Sequence, residues 1–213
     1  MNSRVHPETQ RELVEAEVRT AWAAGEMDRA ATLLLEGYGP ELHGYLIARM
    51  NDETLAADAF AELAVDLWRG LASFEWRSSV RSWAYAVARH AAARVVRAPH
   101  RRPERNLALS GDVPPSRLMA DIRSRTATYL RTETKSRFRE LRGRLDEADQ
   151  SMLILRVDRG MSWREVAVAM SDPSASDDAA LLNEAARLRK RYQLVKERLR
   201  AMAVAEGLIA DEA

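Results

Sequence analysis

The chain has 213 residues and a formal net charge of +1, with 46% hydrophobic and 31% charged residues. This length allows one large domain or two small ones, and the apolar content is sufficient for cores. The absence of cysteine excludes disulfides, thiolate zinc sites and cysteine nucleophiles, and it fits a cytosolic protein.

Other signatures of chemistry are also missing from the sequence. The four histidines have no metal-ligand spacing, there is no glycine-rich phosphate loop, and no apolar run could span a bilayer. The charged N-terminus lacks the apolar core of a signal peptide. We therefore expect a cytoplasmic protein that is not an enzyme, with no catalytic residue, cofactor, metal, membrane contact or small-molecule substrate.

The charges are sorted along the chain although their sum is close to zero. Acidic residues gather at 52–66, 146–149 and 172–184, and basic residues gather at 89–105 and 187–200. Patches of opposite sign suit a protein that touches both nucleic acid and another protein.

Helical periodicity runs through the sequence, and no stretch alternates as a strand would. The pattern predicts helices at 8–24, 27–37 and 41–50. A turn is predicted between the second and third helices at 37–40, Gly-Tyr-Gly-Pro, because glycine and proline favour turns. The sequence assigns no role to the first helix.

A fourth predicted helix at 55–71 carries three carboxylates at four-residue intervals, Asp58, Glu62 and Asp66. This spacing places them in one line on one face of the helix. The line is either a solvated face or a docking surface for a basic partner, and the charge pattern alone leaves both open.

The short loop that follows, 70–78, contains two aromatic residues, Phe74 and Trp76. We expect Phe74 to plug the end of the core. Trp76 is predicted to be a solvent-facing stacking platform, because an aromatic ring binds an unpaired base by about 1–3 kcal/mol. The alternative is that Trp76 also packs into the core.

A fifth predicted helix begins at a serine cap, Ser78-Ser79, and ends at residue 97. Cationic and aromatic side chains lie beside its apolar stripe and continue into a basic tail. This is the electrostatic footprint expected for a phosphate backbone, and a solvated basic face is the alternative. The side chains concerned are Arg81, Tyr85, Arg89, His90, Arg94, Arg97, His100, Arg101, Arg102 and Arg105.

A proline-rich, aperiodic segment at 99–116 is predicted to link two domains. Beyond it, a helix at 146–157 is followed by a second helix that begins with the capping box Ser162–Glu165, and a basic helix completes the set. This order is typical of a helix-turn-helix. Its last turn, 171–178, is long.

The sequence thus predicts an all-α protein of two small helical domains joined by a proline-rich linker. The predicted parts are an N-terminal helical extension at 1–26, a helical domain at 27–98, the linker at 99–116 and a helix-turn-helix domain at 117–213.

The basic helix of the second domain carries Asn183, Arg187, Lys190 and Arg191 on one face. In a helix-turn-helix protein such side chains enter the major groove, where arginine and lysine suit guanine and asparagine suits adenine. A solvated arginine face is the alternative.

The order of these motifs resembles that of bacterial RNA polymerase sigma factors, in the extracytoplasmic-function class of the sigma-70 family. The likeness covers roughly 27–97 and 137–200. It is carried by ADAFAEL at 57–63, LW at 67–68, WAYAVARH at 83–90, LILR at 153–156 and SWREVA at 162–167.

The resemblance implies two partners, core RNA polymerase and promoter DNA, and it leaves an anti-sigma factor as an open third. The helix with Asp58, Glu62 and Asp66 would bind the polymerase. The loop and the basic helix would hold the −10 element as a single strand, with one flipped base captured at 74–79. The residues implied for −10 binding are Phe74, Trp76, Arg77, Ser79, Arg81, Tyr85, Arg89, His90, Arg94 and Arg97.

The second domain would read the −35 element as duplex DNA. The residues implied are Ser162, Arg164, Asn183, Arg187, Lys190 and Arg191. The sequence departs from the family pattern at Ala61, His90 and Arg94, where glutamine, asparagine and aspartate are usual.

Two other functions stay open at this point. One is a helix-turn-helix regulator that binds duplex DNA without docking on polymerase. The other is an all-helical interaction protein whose basic faces are only solvated.

Overall fold

The computed structural model describes residues 7–97, 115–131, 136–172 and 177–209. Its regular elements are all helical within these ranges, which confirms the predicted all-α class. None of the described helices is long and apolar enough to cross a membrane. The chain divides into two compact units, 1–132 and 133–213, and each is described by itself.

The first unit is built around one long helix, α2, which packs against each of the other four. Its fully buried side chains include Leu34, Leu35, Leu42, Tyr45 and Leu46. The five helices in the described ranges of this unit are α1 (Pro7–Ala23), α2 (Met27–Met50), α3 (Glu53–Leu71), α4 (Val80–Arg97) and α5 (Pro115–Arg131).

Helix α2 runs without a break through 37–40, so the predicted turn there is wrong. The two glycines instead permit close helix packing. A Cβ on Gly37 would lie 2.5 Å from Cγ1 of Val14 on α1, and a Cβ on Gly39 would lie 2.8 Å from Cδ1 of Ile122 on α5. Glycine thus serves here by its missing side chain rather than by its backbone freedom.

Pro40 lies inside α2 and has no N–H to donate to the carbonyl of Glu36. That carbonyl accepts a hydrogen bond from Nη1 of Arg125 on α5 at 3.1 Å. A side chain from another helix therefore supplies the partner that the proline removes, and the helix continues through the proline.

Helix α5 belongs to the first unit in the structure, whereas the sequence pattern predicts that residues from 117 onward belong to the C-terminal domain. Ile122 is fully buried against α2. The Thr126 hydroxyl lies 3.2 Å from the carbonyl oxygen of Pro40 and 3.3 Å from Nδ1 of the buried His43. A proline-rich segment indicates an interruption between helices. It does not show whether the next helix packs on the preceding unit, as α5 does on α2.

The described part of the second unit contains four α-helices: α6 (Ser136–Gly143), α7 (Glu147–Leu153), α8 (Trp163–Met170) and α9 (Asp178–Ala205). A π-helical turn, Ile154–Asp158, continues α7. Gly160, with φ of +63°, then reverses the chain before α8. Helices α8 and α9 pack together, with the rings of Trp163 and Tyr192 at 5.3 Å.

The capping box predicted for α8 is present. The hydroxyl of Ser162 accepts from the N–H of Glu165 at 3.2 Å, and the Glu165 carboxylate accepts from the N–H of Ser162 at 2.7 Å. Two donors that the first turn leaves unpaired are thereby satisfied.

Candidate nucleic-acid interface

Phe74, in the loop between α3 and α4, packs into the end of the core, as the sequence predicts. Phe74 is 8% exposed, and its ring centroid lies 4.9 Å from that of Trp83 on α4. The same ring lies 5.0 Å from that of Trp76. The loop therefore has a fixed aromatic floor.

Trp76 is half-buried, so the expectation of a solvent-facing ring is wrong. Its ring meets that of Trp22 edge-on at a centroid distance of 5.8 Å, and the guanidinium carbon of Arg19 lies 5.3 Å from its centroid. Both neighbours come from α1, the helix to which the sequence assigns no role. The covering of Trp76 is invisible in the loop sequence because it is supplied from more than 50 residues away.

Two local features of Trp76 are energetically unfavourable. Its φ of +56° lies in the left-handed region, where non-glycine residues are uncommon. Its Nε1 is buried and has no hydrogen-bond partner in the part of the chain that the structure describes. Such a residue persists only where its surroundings hold it, and these surroundings are the loop and α1.

Helix α1 holds both ends of this loop. Nε1 of Trp22 donates to the carbonyl of Leu71, the last residue of α3, at 2.9 Å. The Glu15 carboxylate accepts from the backbone N–H groups of Val80 and Arg81 at 3.0 Å each, and so caps the start of α4. A carboxylate at this position also interacts favourably with the helix dipole.

The three α1 side chains that touch the loop or its ends are Glu15, Arg19 and Trp22, which we call the α1 clamp. They are spaced i, i+4 and i+7, so they share one face of the helix. This periodicity was the one signal in the sequence that could have assigned a role to α1.

Arg81 and Tyr85 do not lie on an exposed basic face, and this part of the predicted −10 set is corrected. Arg81 is 3% exposed and Tyr85 is fully buried. Nε of Arg81 pairs with Oε1 of Glu41 on α2 at 2.7 Å, and its guanidinium lies 5.5 Å from the Tyr85 ring centroid. Helix α4 is covered on most of its circumference, so the four-residue spacing that looked like a second face belongs to the core.

The acidic line on α3 is partly neutralised within the unit. Arg94 of α4, predicted to guide a DNA strand, pairs with Asp66 and lies 3.5 Å from Glu62. Asp58 is half-exposed, and no ion pair to it occurs among the described residues. Neither alternative for the carboxylates anticipates this third arrangement, an interhelical salt bridge that leaves Asp58 as the unpaired end of the line.

The other predicted −10 residues lie near the surface. Arg77 is exposed and pairs with Glu75 at 3.1 Å, while the hydroxyl of Ser79 accepts from the N–H of Ser82 at 3.1 Å as a helix cap. The half-buried Arg89 and His90 are in contact, Nη2 to Nε2, at 3.0 Å, and Arg97 is exposed. The tail residues His100, Arg101, Arg102 and Arg105 lie outside the described residues.

In the second unit, Arg191 is exposed, but its guanidinium is directed toward α7. It pairs with Asp149, which is 5% exposed, and its Nη2 lies 2.7 Å from Oδ2 of Asp146. The N–H of Asp149, which donates to Asp146, and the nearby Arg191 lower the pKa of Asp146. The hydrogen bond to Asp149 raises the pKa of Arg191. Arg191 thus anchors α9 on α7.

The remaining predicted −35 residues divide into two groups. Asn183 and Lys190 are exposed on α9, as is Arg187, which pairs with Glu184 at 2.8 Å. Arg164 of α8 pairs with Asp178 in the first turn of α9 at 2.7 Å, and Ser162 is used in the capping box. The structure leaves Asn183, Arg187 and Lys190 together on one exposed face.

The described residues contain no cluster of three or more side chains able to hold a metal ion. At the loop, the first unit presents aromatic rings, cations and a helix end. These groups suit stacking and phosphate contact.

Comparisons with known proteins agree with this geometry. Residues 34–102 match the family described as Sigma-70 region 2, a segment that contains α3, the aromatic loop and α4. Over 148 residues the chain is 26% identical to the RNA polymerase sigma-H factor of Pseudomonas aeruginosa, which covers 68% of this chain and 77% of that protein.

The class that these two likenesses support is that of RNA polymerase sigma factors. They favour a sigma factor of the sigma-70 family, as the resemblance in the chain's sequence implies.

A second likeness is short. Over 54 residues the chain is 46% identical to the Telomeric repeat-binding factor 2-interacting protein 1 of Danio rerio, covering 25% of this chain and 9% of that protein. No solved structure matches the chain significantly.

Proposed function

We propose that this sigma factor belongs to the extracytoplasmic-function class, binds core RNA polymerase in the cytoplasm and directs initiation at specific promoters. It would hold the −10 element as an unpaired strand and read the −35 element as duplex. The observation that carries the proposal is the coincidence of the family match at 34–102 with the acidic helix, the aromatic loop and the basic helix.

Polymerase docking is assigned to the exposed side of α3. Because Arg94 already pairs with Asp66 and approaches Glu62, the carboxylate with most charge to offer a basic partner is Asp58. Glu62 and Asp66 would contribute after exchange of Arg94 for the partner's cations.

The −10 strand is assigned to the loop and the exposed end of α4. Trp76 offers a ring for base stacking over the floor formed by Phe74. Arg77 and Arg97 are the exposed cations on either side, and Arg89 with His90 lies between them along the chain. Ser79 holds the start of α4 in place rather than contacting DNA.

The −35 duplex is assigned to Asn183, Arg187 and Lys190 on α9. All three are exposed, and their types match the donors and acceptors of guanine and adenine edges. Arg191, Arg164 and Ser162 hold helices together, and their part in recognition is indirect.

The decisive test is transcription in vitro by core RNA polymerase with and without the full chain, on a pool of genomic promoter fragments. The expected result is a set of new start sites that depends on the chain, and co-migration of the chain with core enzyme. Duplex binding by the chain alone, with no new start site and no co-migration, would instead identify a regulator that acts without polymerase. If a further protein is added to this assay and blocks the chain-dependent start sites, that protein would be an anti-sigma factor.

A further inference from the structure

Arg19 belongs to the α1 clamp, but it has no part in the proposed polymerase and DNA contacts, because it precedes the family-matched segment. We infer that Arg19 contacts a phosphate of the unpaired promoter strand, and that it leaves the Trp76 ring when a base stacks there. This inference rests on the proposed capture of a base by the loop. It makes α1 part of the single-strand site.

The charge of Arg19 is available to an anion. Its side chain is exposed, and no ion pair to it occurs within the described parts of the chain. The acid one turn before it, Glu15, is already occupied by the backbone N–H groups of Val80 and Arg81. Its described contact is with the Trp76 ring, at 5.3 Å from the centroid.

Of the side chains that cover Trp76, Arg19 is the one that can move aside. Trp22 is held by its hydrogen bond to the carbonyl of Leu71, and Phe74 is buried against Trp83. Among the described residues, Arg19 is held by an exposed cation–π contact, which is weaker than the stacking of a base on a tryptophan. A base approaching Trp76 would therefore displace the guanidinium rather than a ring.

The displaced guanidinium has a partner close at hand. A nucleotide that stacks its base on Trp76 carries its phosphate only a few bonds away, and arginine binds phosphate through a planar, bidentate fork. The left-handed backbone and the buried, unpartnered Nε1 of Trp76 also make its resting position costly, which favours a change on binding. The Arg19 guanidinium thus covers the Trp76 ring in the free protein and binds one phosphate of the strand in the complex.

The test is the salt dependence of binding to a short, fluorescently labelled single-stranded DNA of random sequence. It uses the full chain, alone and with core RNA polymerase. Each phosphate neutralised contributes about 0.7 to the slope of log K against log salt for single strands. Arg19→Ala and Arg19→Gln should each lower the slope by about that amount, and Arg19→Lys should keep it.

The matched control is Arg29→Ala, which removes an exposed arginine of the same unit whose charge is already paired with Glu26 at 2.9 Å. Its slope should equal that of the wild type. Thermal melting of each variant reports whether the fold is kept, and the glutamine variant retains most of the side-chain stem if alanine perturbs α1.

Two failures are distinguishable. If the wild type binds with a clear salt slope and both Arg19→Ala and Arg19→Gln keep that slope, the role of Arg19 is overturned while base capture by the loop stands. If the wild type shows no single-strand binding even with core polymerase, the proposed function fails first, and the inference falls with it.

Discussion

Glu15 on α1 accepts a hydrogen bond from the backbone N–H of Val80, the first residue of α4, at 3.0 Å. The two residues are 65 positions apart. The contact joins the N-terminal helix to the helix that follows the aromatic loop, so the loop's geometry depends on a side chain far away in the sequence.

Replacing this carboxylate should destabilise the first unit. Glu15→Ala removes the acceptor for the N–H groups of Val80 and Arg81, and loss of a helix cap typically costs about 0.5–2 kcal/mol. Urea unfolding followed by circular dichroism measures the change. Glu17→Ala, on an exposed position of the same helix, should stay within about 0.5 kcal/mol of the wild type; an equal loss in both variants would contradict the capping role.

Reversing the charge of Asp58 should weaken polymerase binding without harming the fold. Asp58→Lys places a cation at the unpaired end of the acidic line, where it repels a basic partner. We expect at least a tenfold loss of affinity for core RNA polymerase, which corresponds to about 1.4 kcal/mol. Fluorescence anisotropy of the labelled chain measures it.

Glu17→Lys is the matched charge reversal on α1, away from this line, and it should bind normally. Combining Asp58→Lys with Glu62→Lys should deepen the loss, but the second change also places a cation beside Arg94 and lowers stability. Normal polymerase binding by a folded Asp58→Lys chain would remove α3 from the docking surface.

Adding a methyl group at Gly37 should force α1 away from α2. The Cβ of Gly37→Ala would lie 2.5 Å from Cγ1 of the buried Val14, and overpacking of this kind costs about 1–3 kcal/mol. The gain in helix propensity from alanine offsets only part of that. Thermal unfolding measures the net change.

A second change tests whether the cost arises at this contact. Val14→Ala alone should also destabilise, yet combined with Gly37→Ala the two effects should be less than additive, because the smaller side chain makes room for the new methyl group. Gly143→Ala, where nothing lies within 4 Å of the added Cβ, should leave stability nearly unchanged. Strict additivity would place the strain elsewhere.

Removing two neighbouring cations on α9 should affect different properties, stability for Arg191 and DNA binding for Lys190. Arg191→Ala leaves the buried carboxylate of Asp149 without its cation, which should destabilise the second unit by about 1–3 kcal/mol. Lys190→Ala removes an exposed charge that has no ion pair among the residues the structure describes, and it should reduce binding to −35 duplex while stability is kept. Melting curves and a duplex anisotropy titration separate the two, and equal loss of stability would refute the division.

Stability of the second unit should fall at acid pH through Asp146. The pKa of this carboxyl is lowered below its ordinary value of 3.8 by the N–H of Asp149 and by Arg191. In the window between the lowered and the ordinary pKa, the unfolded chain binds more protons than the folded one, so stability is lost as pH falls. The melting temperature followed by circular dichroism should drop across that window.

Asp146→Asn is the control for this titration. It keeps an acceptor for the N–H of Asp149 but cannot be protonated in that range. Its melting temperature should depend less on pH below 4 than that of the wild type. An identical acid profile would assign the effect to other carboxyl groups.

Local spacing predicted the features whose partners are near in sequence. The helical class, the Ser162–Glu165 capping box and the burial of Phe74 all follow from residues a few positions apart. Features set by distant packing were missed. The clamp contacts of Trp22 and Glu15 span 49 and 65 residues, so no window of the sequence contains both partners.

The same reason explains the errors at Arg81 and at Gly37. The four-residue spacing of Arg81 and Tyr85 is equally compatible with a solvated face and with a core ion pair, and only the presence of Glu41 across the interface decides. Glycine before a proline favours a turn in an isolated peptide. Here Arg125 supplies the missing donor, so the helix continues.

That repair has an evolutionary consequence. Glu36 and Arg125 are 89 positions apart, yet the carbonyl of one depends on the side chain of the other only while Pro40 is present. A lineage that replaces the proline restores the ordinary donor of the helix and frees position 125 to vary. A lineage that keeps the proline should retain a long side-chain donor at position 125. Positions 40 and 125 should therefore change together among related sequences.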